Sequence, residues 1–203
     1  TKKRYKEDLL RVTQGKSDPE LANILIDNSY DTVKWAVEKA KIECEPACSV
    51  CGVLVNGQWT FPGGVVIRAK HEGKGLSASW FEASKNAGIE IRYGSGALEL
   101  LQNDKGKVIG VLSKEKDGLK KLYAKAVVLG CGGFEANSQM RAQYLGEPWD
   151  QAKVRGTSFN QGDGLRMALS IGAMPCGQWT GRHSAPIDAD WPEFADRERG
   201  DQS

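Results

Sequence analysis

The stretch AKAVVLGCGGFEAN, residues 124–137, decides the fold. Its apolar run from Ala126 to Leu129 ends abruptly in the glycine-rich segment GCGG, residues 130–133. Asn137 and Ser138 follow, both good helix N-caps, in front of the amphipathic segment MRAQYL. The pattern predicts a buried strand, a glycine turn and a helix. Glycines at the end of a strand let a ligand approach bare backbone N–H groups, and the alternative is a tight turn that binds nothing.

The composition is typical of a globular protein, with 203 residues that are 40% hydrophobic and 27% charged. The net charge of +2 offers no electrostatic basis for binding nucleic acid. No apolar run approaches the roughly 20 residues of a membrane span, and we predict none. The charged first residues also argue against a signal peptide.

The cysteines favour a reducing compartment, because their number, five, is odd. We therefore expect a cytoplasmic protein. Cys44, Cys48 and Cys51 have the spacing C-x3-C-x2-C, which suits an iron–sulfur cluster or zinc. A helical pattern precedes this group where a cluster loop of that kind would follow a strand. We interpret the three thiols as incidental and predict no metal site.

Helix and turn signals divide the first half of the chain. Residues 1–18 are polar and are expected to wander over a surface. Asp18 and Pro19 then mark the start of one long helix, or of two, over 19–41. Residues 50–61 predict a hairpin around an Asn-Gly turn, and residues 65–69 predict one more short strand.

The segment HEGKGL, residues 71–76, predicts the start of another helix. Gly73, Gly75 and Ala78 match the relaxed dinucleotide-binding pattern G-x-G-x-x-A. The preceding strand is short and basic, however, and the next segment, IEIRY at 89–93, lacks a ribose-binding acid. We interpret the match as a coincidence.

Alternating segments between residues 89 and 123 predict an antiparallel meander, which includes IEIRY as its first strand. This layer leads directly into the apolar run at 126–129. The order predicts an α/β fold with some α+β character, in which a small antiparallel insertion and flanking helices accompany a larger domain.

Several motifs together carry a resemblance to a known family. They are GKVIGV at 106–111, AKAVVLGCGGFEAN at 124–137, NQGDGLRMA at 160–168, KVRGT at 153–157 and PEFADRERGD at 192–201. In this combination the chain resembles the fumarate reductase/succinate dehydrogenase flavoproteins, and within them the FAD-dependent tricarballylate dehydrogenases. The resemblance covers nearly the whole chain.

The resemblance implies that the chain is an internal fragment of a flavoprotein. Residues 1–179 would be the central part of the FAD-binding domain, without its N-terminal dinucleotide-binding βαβ unit. Residues 180–203 would begin the substrate-capping domain. The family's proton-donating arginine would lie beyond the fragment, so we expect no catalytic residue within it and no activity from it alone.

The resemblance also implies the residues of the site. His183 and Arg182 would bind a substrate carboxylate, because His183 matches a substrate-binding histidine and a guanidinium pairs strongly with carboxylates. The residues that would contact FAD are Ala97, Gly130, Cys131, Gly132, Gly133, Asp163 and Gly164. Taken without the resemblance, Asp163 is explained as the N-cap of a helix.

The implied reaction is the dehydrogenation of a small polycarboxylate, tricarballylate to cis-aconitate, with hydride transfer to FAD and an electron acceptor that reoxidises the cofactor. Two alternative activities within the same superfamily remain open, those of a fumarate reductase and of a ketosteroid dehydrogenase. A non-catalytic, β-rich binding module also stays open.

Overall fold

The computed structural model describes residues 1–48, 52–60, 66–184 and 190, and these form parts of two compact units. The first unit is Thr1–Arg92 and the second is Tyr93–Ser203. Each unit combines helices with small antiparallel sheets, which confirms the mixed α/β class. Within the described residues, no helix has both the length and the apolar character needed to cross a membrane.

The first unit begins with a helix that the sequence analysis missed. Helix α1 spans Lys2–Val12 and is capped by Thr1, whose hydroxyl accepts from the backbone N–H of Arg4 at 3.3 Å. Lys2 also pairs with Asp27 of the next helix at 3.0 Å. The expectation of an irregular surface segment was therefore wrong, because a cap and packing against a neighbouring helix outweigh the polar composition.

Helix α2 spans Pro19–Ala40, and its predicted start is confirmed. The Asp18 carboxylate accepts from the N–H groups of Glu20 and Leu21, both at 2.9 Å. The helix is single and unbroken. Its buried residues are Ala22, Ile26 and Ala40.

Short strands join this unit's helices. Strand β1, Cys44–Pro46, pairs antiparallel with β4, Ile67–Ala69, and the sequence analysis missed β1. The predicted hairpin is confirmed as β2, Val53–Val55, and β3, Gln58–Thr60. Its turn residues Asn56 and Gly57 both have positive φ, 49° and 79°, which is the conformation that an Asn-Gly pair favours. Of the strand predicted at 65–69, residue 65 lies outside the described residues.

Helix α3 spans Glu72–Asn86, as the segment HEGKGL predicted. Gly73 and Gly75 lie inside its first turn, so no separate glycine loop precedes the helix. The Trp80 ring contacts the Trp35 ring of α2, with centroids 5.7 Å apart. Helix α3 therefore packs against α2 through this pair of rings.

The second unit opens with the predicted antiparallel meander. Strands β5, Gly96–Gln102, β6, Val108–Glu115, and β7, Gly118–Tyr123, lie in that order in one sheet. The segment IEIRY at 89–93 was also predicted as a strand, and this was wrong. Alternation alone does not make a strand, since backbone groups need a neighbouring strand to pair with.

The apolar run 126–129 is not a buried strand, which corrects the prediction made from the deciding stretch. The last ladder bond joins the Ala124 N–H to the Ile109 carbonyl at 2.9 Å, and residues 126–133 lie outside any strand or helix. Val128 is 92% exposed. The apolar composition suits burial, but no strand among the described residues lies beside this segment to cover it.

Two α-helices lie in the described part of this unit. Helix α4 spans Ser138–Leu145. Of the two predicted caps, Asn137 is confirmed, because its side chain accepts from the Met140 N–H at 3.0 Å, whereas Ser138 is the first helical residue. A 3₁₀ turn follows at Trp149–Gln151. Helix α5 spans Asp163–Ser170 and packs against β5. Among the residues of the unit that the structure describes, the buried apolar ones are Ala136, Val154 and Met167.

Candidate functional site

The two glycine motifs of the second unit lie against each other. The Gly133 carbonyl accepts from the Gly162 N–H at 2.9 Å, and the Asn160 carbonyl accepts from the Ala136 N–H at 3.0 Å. The Asn137 side chain adds a third link, donating to the Gln161 carbonyl at 2.9 Å. The turn after residue 129 and the turn before α5 therefore form one structure, which we call the double turn, residues 130–137 and 160–164.

Glycine is required where the two segments touch. Gly132 has φ of +74°, and a Cβ there would meet the Asn160 Oδ1 at 2.7 Å. A Cβ on Gly164 would collide with the Cys131 sulfur. The Cys131 side chain thus lies on the Gly164 backbone, and both motifs need small residues for their mutual packing.

The other side of the double turn is open. A Cβ on Gly130 would meet nothing within 4 Å. Among the described residues, nothing accepts a hydrogen bond from the N–H groups of Gly130, Cys131 or Gly132. A row of free backbone donors without side-chain obstruction fits the approach of a dinucleotide phosphate or ribose. The donors present therefore suit the cofactor implied by the resemblance.

Asp163 has a different local role from the one predicted. The N-cap of α5 is Gly162, with φ of +81°, and Asp163 is the first helical residue. Its carboxylate accepts from the Arg166 guanidinium at 2.9 Å. The N-cap interpretation was wrong by one residue, because glycine adopts the left-handed backbone that this turn requires.

Ala97 lies apart from the double turn in sequence, on strand β5. It pairs with Ser113 of β6 and is exposed. The helix that follows Gly162 packs against this strand. Ala97 does not line the cavity described next.

A cavity of about 720 Å³ adjoins the double turn within the second unit. Its volume suits a small ligand. It is lined by Gly133, Phe134, Glu135, Arg141, Leu145, Trp149, Ala152, Lys153, Val154, Arg155, Leu165, Gly181, Arg182, His183 and Ser184. Both residues predicted to bind substrate, Arg182 and His183, therefore share a cavity with Gly133 of the predicted cofactor turn.

Basic side chains dominate the polar lining of this cavity. Lys153, Arg155, Arg182 and His183 all contribute to it, and Lys153 and Arg155 each have a further interaction within the protein. Among the described lining residues, Glu135 is the acidic one. The Glu135 carboxylate accepts from the Asn160 side chain, so it is engaged within the double turn. The arrangement favours an anionic ligand.

Arg182 is held by an aromatic ring. Its guanidinium carbon lies 3.9 Å from the centre of the Trp149 indole, which is a close stacking distance. Among the described residues no carboxylate pairs with Arg182. The face of the guanidinium is therefore covered, while its N–H groups stay available to a ligand.

The segment that carries Trp149 is fixed by a buried cation. Arg141 is 7% exposed and donates to the carbonyls of Trp149 at 2.7 Å, Asp150 at 2.8 Å and Ala152 at 3.1 Å, and also to the Glu135 carbonyl. One side chain of α4 thus joins the double turn to the 3₁₀ turn.

Four of the lining residues that were not predicted from the sequence have side chains important to the site: Arg141, Trp149, Lys153 and Arg155. Two of them had a visible signal. In the segment KVR, the apolar Val154 stands between Lys153 and Arg155 and is 7% exposed. Because successive side chains of an extended segment point to opposite sides, the two cations point away from the side on which Val154 is buried. Arg141 and Trp149 could not be found in this way, because only the fold brings them to the site.

Among the described residues, no group of three or more potential metal ligands occurs. Cys44 and Cys48 are free thiols, and Cys51 lies outside the described residues. The motif PEFADRERGD at 192–201 also lies outside them.

Comparison with known proteins gives the family. Residues 2–180 match the family described as FAD binding domain. The chain belongs to this family. FAD is accordingly its cofactor, and the free backbone donors at residues 130–132 are the groups described above that suit it.

Individual relatives agree with this assignment. The probable fumarate reductase Ifc3 of Shewanella frigidimarina is 30% identical over 168 residues, which cover 82% of this chain and 27% of the relative. The solved structure of the open conformation of a flavocytochrome c3 fumarate reductase superposes with a TM-score of 0.69 at 27% identity, covering 86% of this chain and 30% of that one.

A steroid enzyme shares the fold. The 3-ketosteroid delta1-dehydrogenase of Sterolibacterium denitrificans superposes with a TM-score of 0.72 at 18% identity, covering 86% of this chain and 44% of that one. The chain thus spans about a quarter to under a half of the length of these relatives.

Proposed function

We propose that the chain is the central part of a flavin-dependent oxidoreductase that dehydrogenates a small polycarboxylate, tricarballylate, to its alkene cis-aconitate. The observation that carries this proposal is the basic cavity beside the double turn. Within it, Arg182 and His183 could each bind a carboxylate of one small molecule. The relatedness to fumarate reductases, whose named substrate is itself a dicarboxylate, supports the same class of ligand.

The residues of the cavity would bind and orient the substrate. Arg182 would pair with one carboxylate through its free N–H groups, and His183 would hydrogen-bond a second. Lys153 and Arg155 would raise the local positive potential, which favours the anionic substrate. When FAD is bound, it supplies the acceptor for the hydride that leaves the substrate carbon, while the adjacent carbon loses a proton to a base.

The backbone at residues 130–132 would hold the cofactor, and Gly133, Asp163, Gly164 and Ala97 complete the proposed contacts. Residues 1–179 would belong to the FAD-binding domain and residues 180–203 to the start of a capping domain. The reduced cofactor requires an electron acceptor, and we place the whole protein in the cytoplasm.

Fumarate reduction is the second candidate, because the probable fumarate reductase Ifc3 is similar over most of this chain. The same cavity would bind the dicarboxylate, and electrons would flow in the opposite direction. A ketosteroid substrate is less well supported, because the similarity to a 3-oxosteroid 1-dehydrogenase covers 37% of this chain against 82% for Ifc3. A neutral steroid would also form no ion pair with the cavity's basic side chains.

The decisive experiment uses the full-length protein. It is purified, its visible spectrum is recorded, and tricarballylate is added under anaerobic conditions. We expect a bound flavin whose absorption bleaches on addition of tricarballylate. Reoxidation of the chemically reduced protein by fumarate, without bleaching by tricarballylate, would support the reductase instead. Purified protein that takes up no flavin would overturn both.

Variants of the cavity connect this activity to the named residues. We expect Arg182→Ala and His183→Ala each to raise the KM for tricarballylate about 10- to 100-fold, because each removes a hydrogen bond to a charged group. His71→Ala, in the first unit, is the control and should leave KM unchanged. An unchanged KM in both cavity variants would contradict this site.

A further inference from the structure

Trp149 lies under the guanidinium of Arg182, and this contact assigns a role that neither the sequence nor the relatives indicate. We infer that Trp149 is a positioning residue, which holds the Arg182 guanidinium in the orientation that pairs with a substrate carboxylate. The inference rests on the proposed function, because it concerns the same ligand and the same cavity.

The geometry supports a role in orientation. The guanidinium carbon lies 3.9 Å from the indole centre, so one face of the cation is against the ring. Both residues line the cavity, Arg182 is otherwise exposed, and its segment, residues 181–184, lies outside any helix or strand. A long side chain on such a segment samples many rotamers unless a contact selects one.

Trp149 is itself firmly placed. Its carbonyl accepts from the buried Arg141 at 2.7 Å, and the same guanidinium binds the carbonyls of Asp150 and Ala152. The indole therefore projects from a turn whose backbone is fixed by Arg141 of α4. Through its contact with Trp149, the Arg182 side chain is restrained in turn. Preorganisation of this kind lowers the entropy lost when the ligand binds.

Two substitutions of Trp149 distinguish the effect of its aromatic face from the effect of its size. The affinity of the full-length, FAD-loaded protein for tricarballylate is measured by calorimetry, and KM and kcat are measured in parallel. We expect Trp149→Leu to weaken binding about 2- to 30-fold, the range of a cation–π contact, and to raise KM with little change in kcat. Trp149→Phe keeps an aromatic face and should restore most of the affinity.

The matched control is Trp80→Leu, which removes an indole that packs on another indole in the first unit. It should leave the affinity unchanged. Equal losses in the leucine and phenylalanine variants of Trp149 would indicate that the ring acts only by its shape, and would overturn the inference.

A double-mutant cycle tests whether Trp149 acts through Arg182. We expect Trp149→Leu to cause no further loss of affinity when Arg182 is already alanine. An equal loss in both backgrounds would overturn the inference and leave the proposed function intact. If Arg182→Ala binds tricarballylate as tightly as the wild type does, the proposed carboxylate site falls, and the inference falls with it.

Discussion

At the scale of single residues, the glycines of the double turn serve two purposes. Gly132 and Gly164 make room for neighbouring side chains of the same chain, whereas Gly130 faces open space. A glycine-rich motif in a cofactor domain is easily interpreted as ligand contact alone. Here the positions of the side chains explain why two of these residues are glycine, while the N–H groups of residues 130–132 stay free on the open side for the cofactor.

The contact between Cys131 and Gly164 gives a testable prediction. We expect Gly164→Ala to destabilise the second unit by about 1–3 kcal/mol, because the new methyl group would overlap the Cys131 sulfur. Urea unfolding of the chain measures this change.

The rescue variant is Cys131→Ala/Gly164→Ala. The Cys131 Cβ lies 3.9 Å from the position that the new methyl group would take, which is an ordinary contact, so removing the sulfur should restore most of the lost stability. If the double variant is as unstable as Gly164→Ala, the sulfur is not the cause.

At the scale of secondary-structure elements, the second unit depends on one buried guanidinium. Arg141 is the residue of α4 that binds both the double turn and the 3₁₀ turn. This side chain therefore links two segments of the cavity wall, and no periodicity in α4 would indicate it.

We expect Arg141→Met to lower the free energy of unfolding by at least about 1–3 kcal/mol, since buried carbonyls would lose their donor. Arg141→Lys keeps the charge and some of the hydrogen-bond donors, so it should lower the free energy of unfolding less than Arg141→Met does. The control Arg166→Ala breaks an exposed pair and should cost less than about 1 kcal/mol. Similar losses in Arg141→Met and Arg166→Ala would contradict this account.

In the first unit, the strand pair β1–β4 is flanked by an ion pair that responds to pH. The Glu43 carboxylate accepts from the Lys70 ammonium at 2.9 Å, and this hydrogen bond holds the pKa of Glu43 below its ordinary value. The same contact raises the pKa of Lys70. Because the carboxyl pKa is lowered on folding, the pair contributes stability above the ordinary glutamate pKa and loses it as the pH falls through the lowered value.

NMR titration of the Glu43 carboxyl carbon measures this effect directly. We expect Lys70→Ala to raise the pKa of Glu43 towards the ordinary glutamate value, whereas Lys107→Ala, in the other unit, should not change it. Both partners are solvent-exposed, so the change in stability should be small and should diminish further in high salt. A Glu43 pKa unaffected by Lys70→Ala would show that the pair does not form in solution.

At the scale of the whole molecule, the net charge of +2 hides a local concentration of cations at the cavity. Because the attraction of an anionic substrate to these cations depends on salt, the salt dependence of binding can identify the class of substrate. The affinity of the full-length protein for tricarballylate should fall as ionic strength rises from about 0.01 M to about 1 M, because salt screens the attraction. Calorimetric titration across this range provides the measurement.

A neutral ketosteroid serves as the comparison ligand in the same titration. Its affinity, if any, should change little with salt, since no charge is screened. Tight, salt-independent steroid binding together with weak tricarballylate binding would reverse the proposed choice of substrate class.

The sequence by itself determined the local elements of this protein. Asp18 and Asn137 capped their helices, Asn56–Gly57 closed its hairpin, and the meander formed where alternation and turn residues agreed. These features succeed from sequence because each depends on backbone groups within a few residues of the signal. The α/β class followed from their order, and FAD from the resemblance.

Only the tertiary structure decided how these elements pack and which residues they bring into one site. It left the apolar segment around Val128 exposed, it joined two glycine motifs separated by about thirty positions, and it stacked Arg182 on Trp149. A strand requires a neighbour, and a cavity requires residues from several segments. Contacts between distant residues leave no periodicity in the chain, so the double turn and its cavity could be found only in the folded molecule.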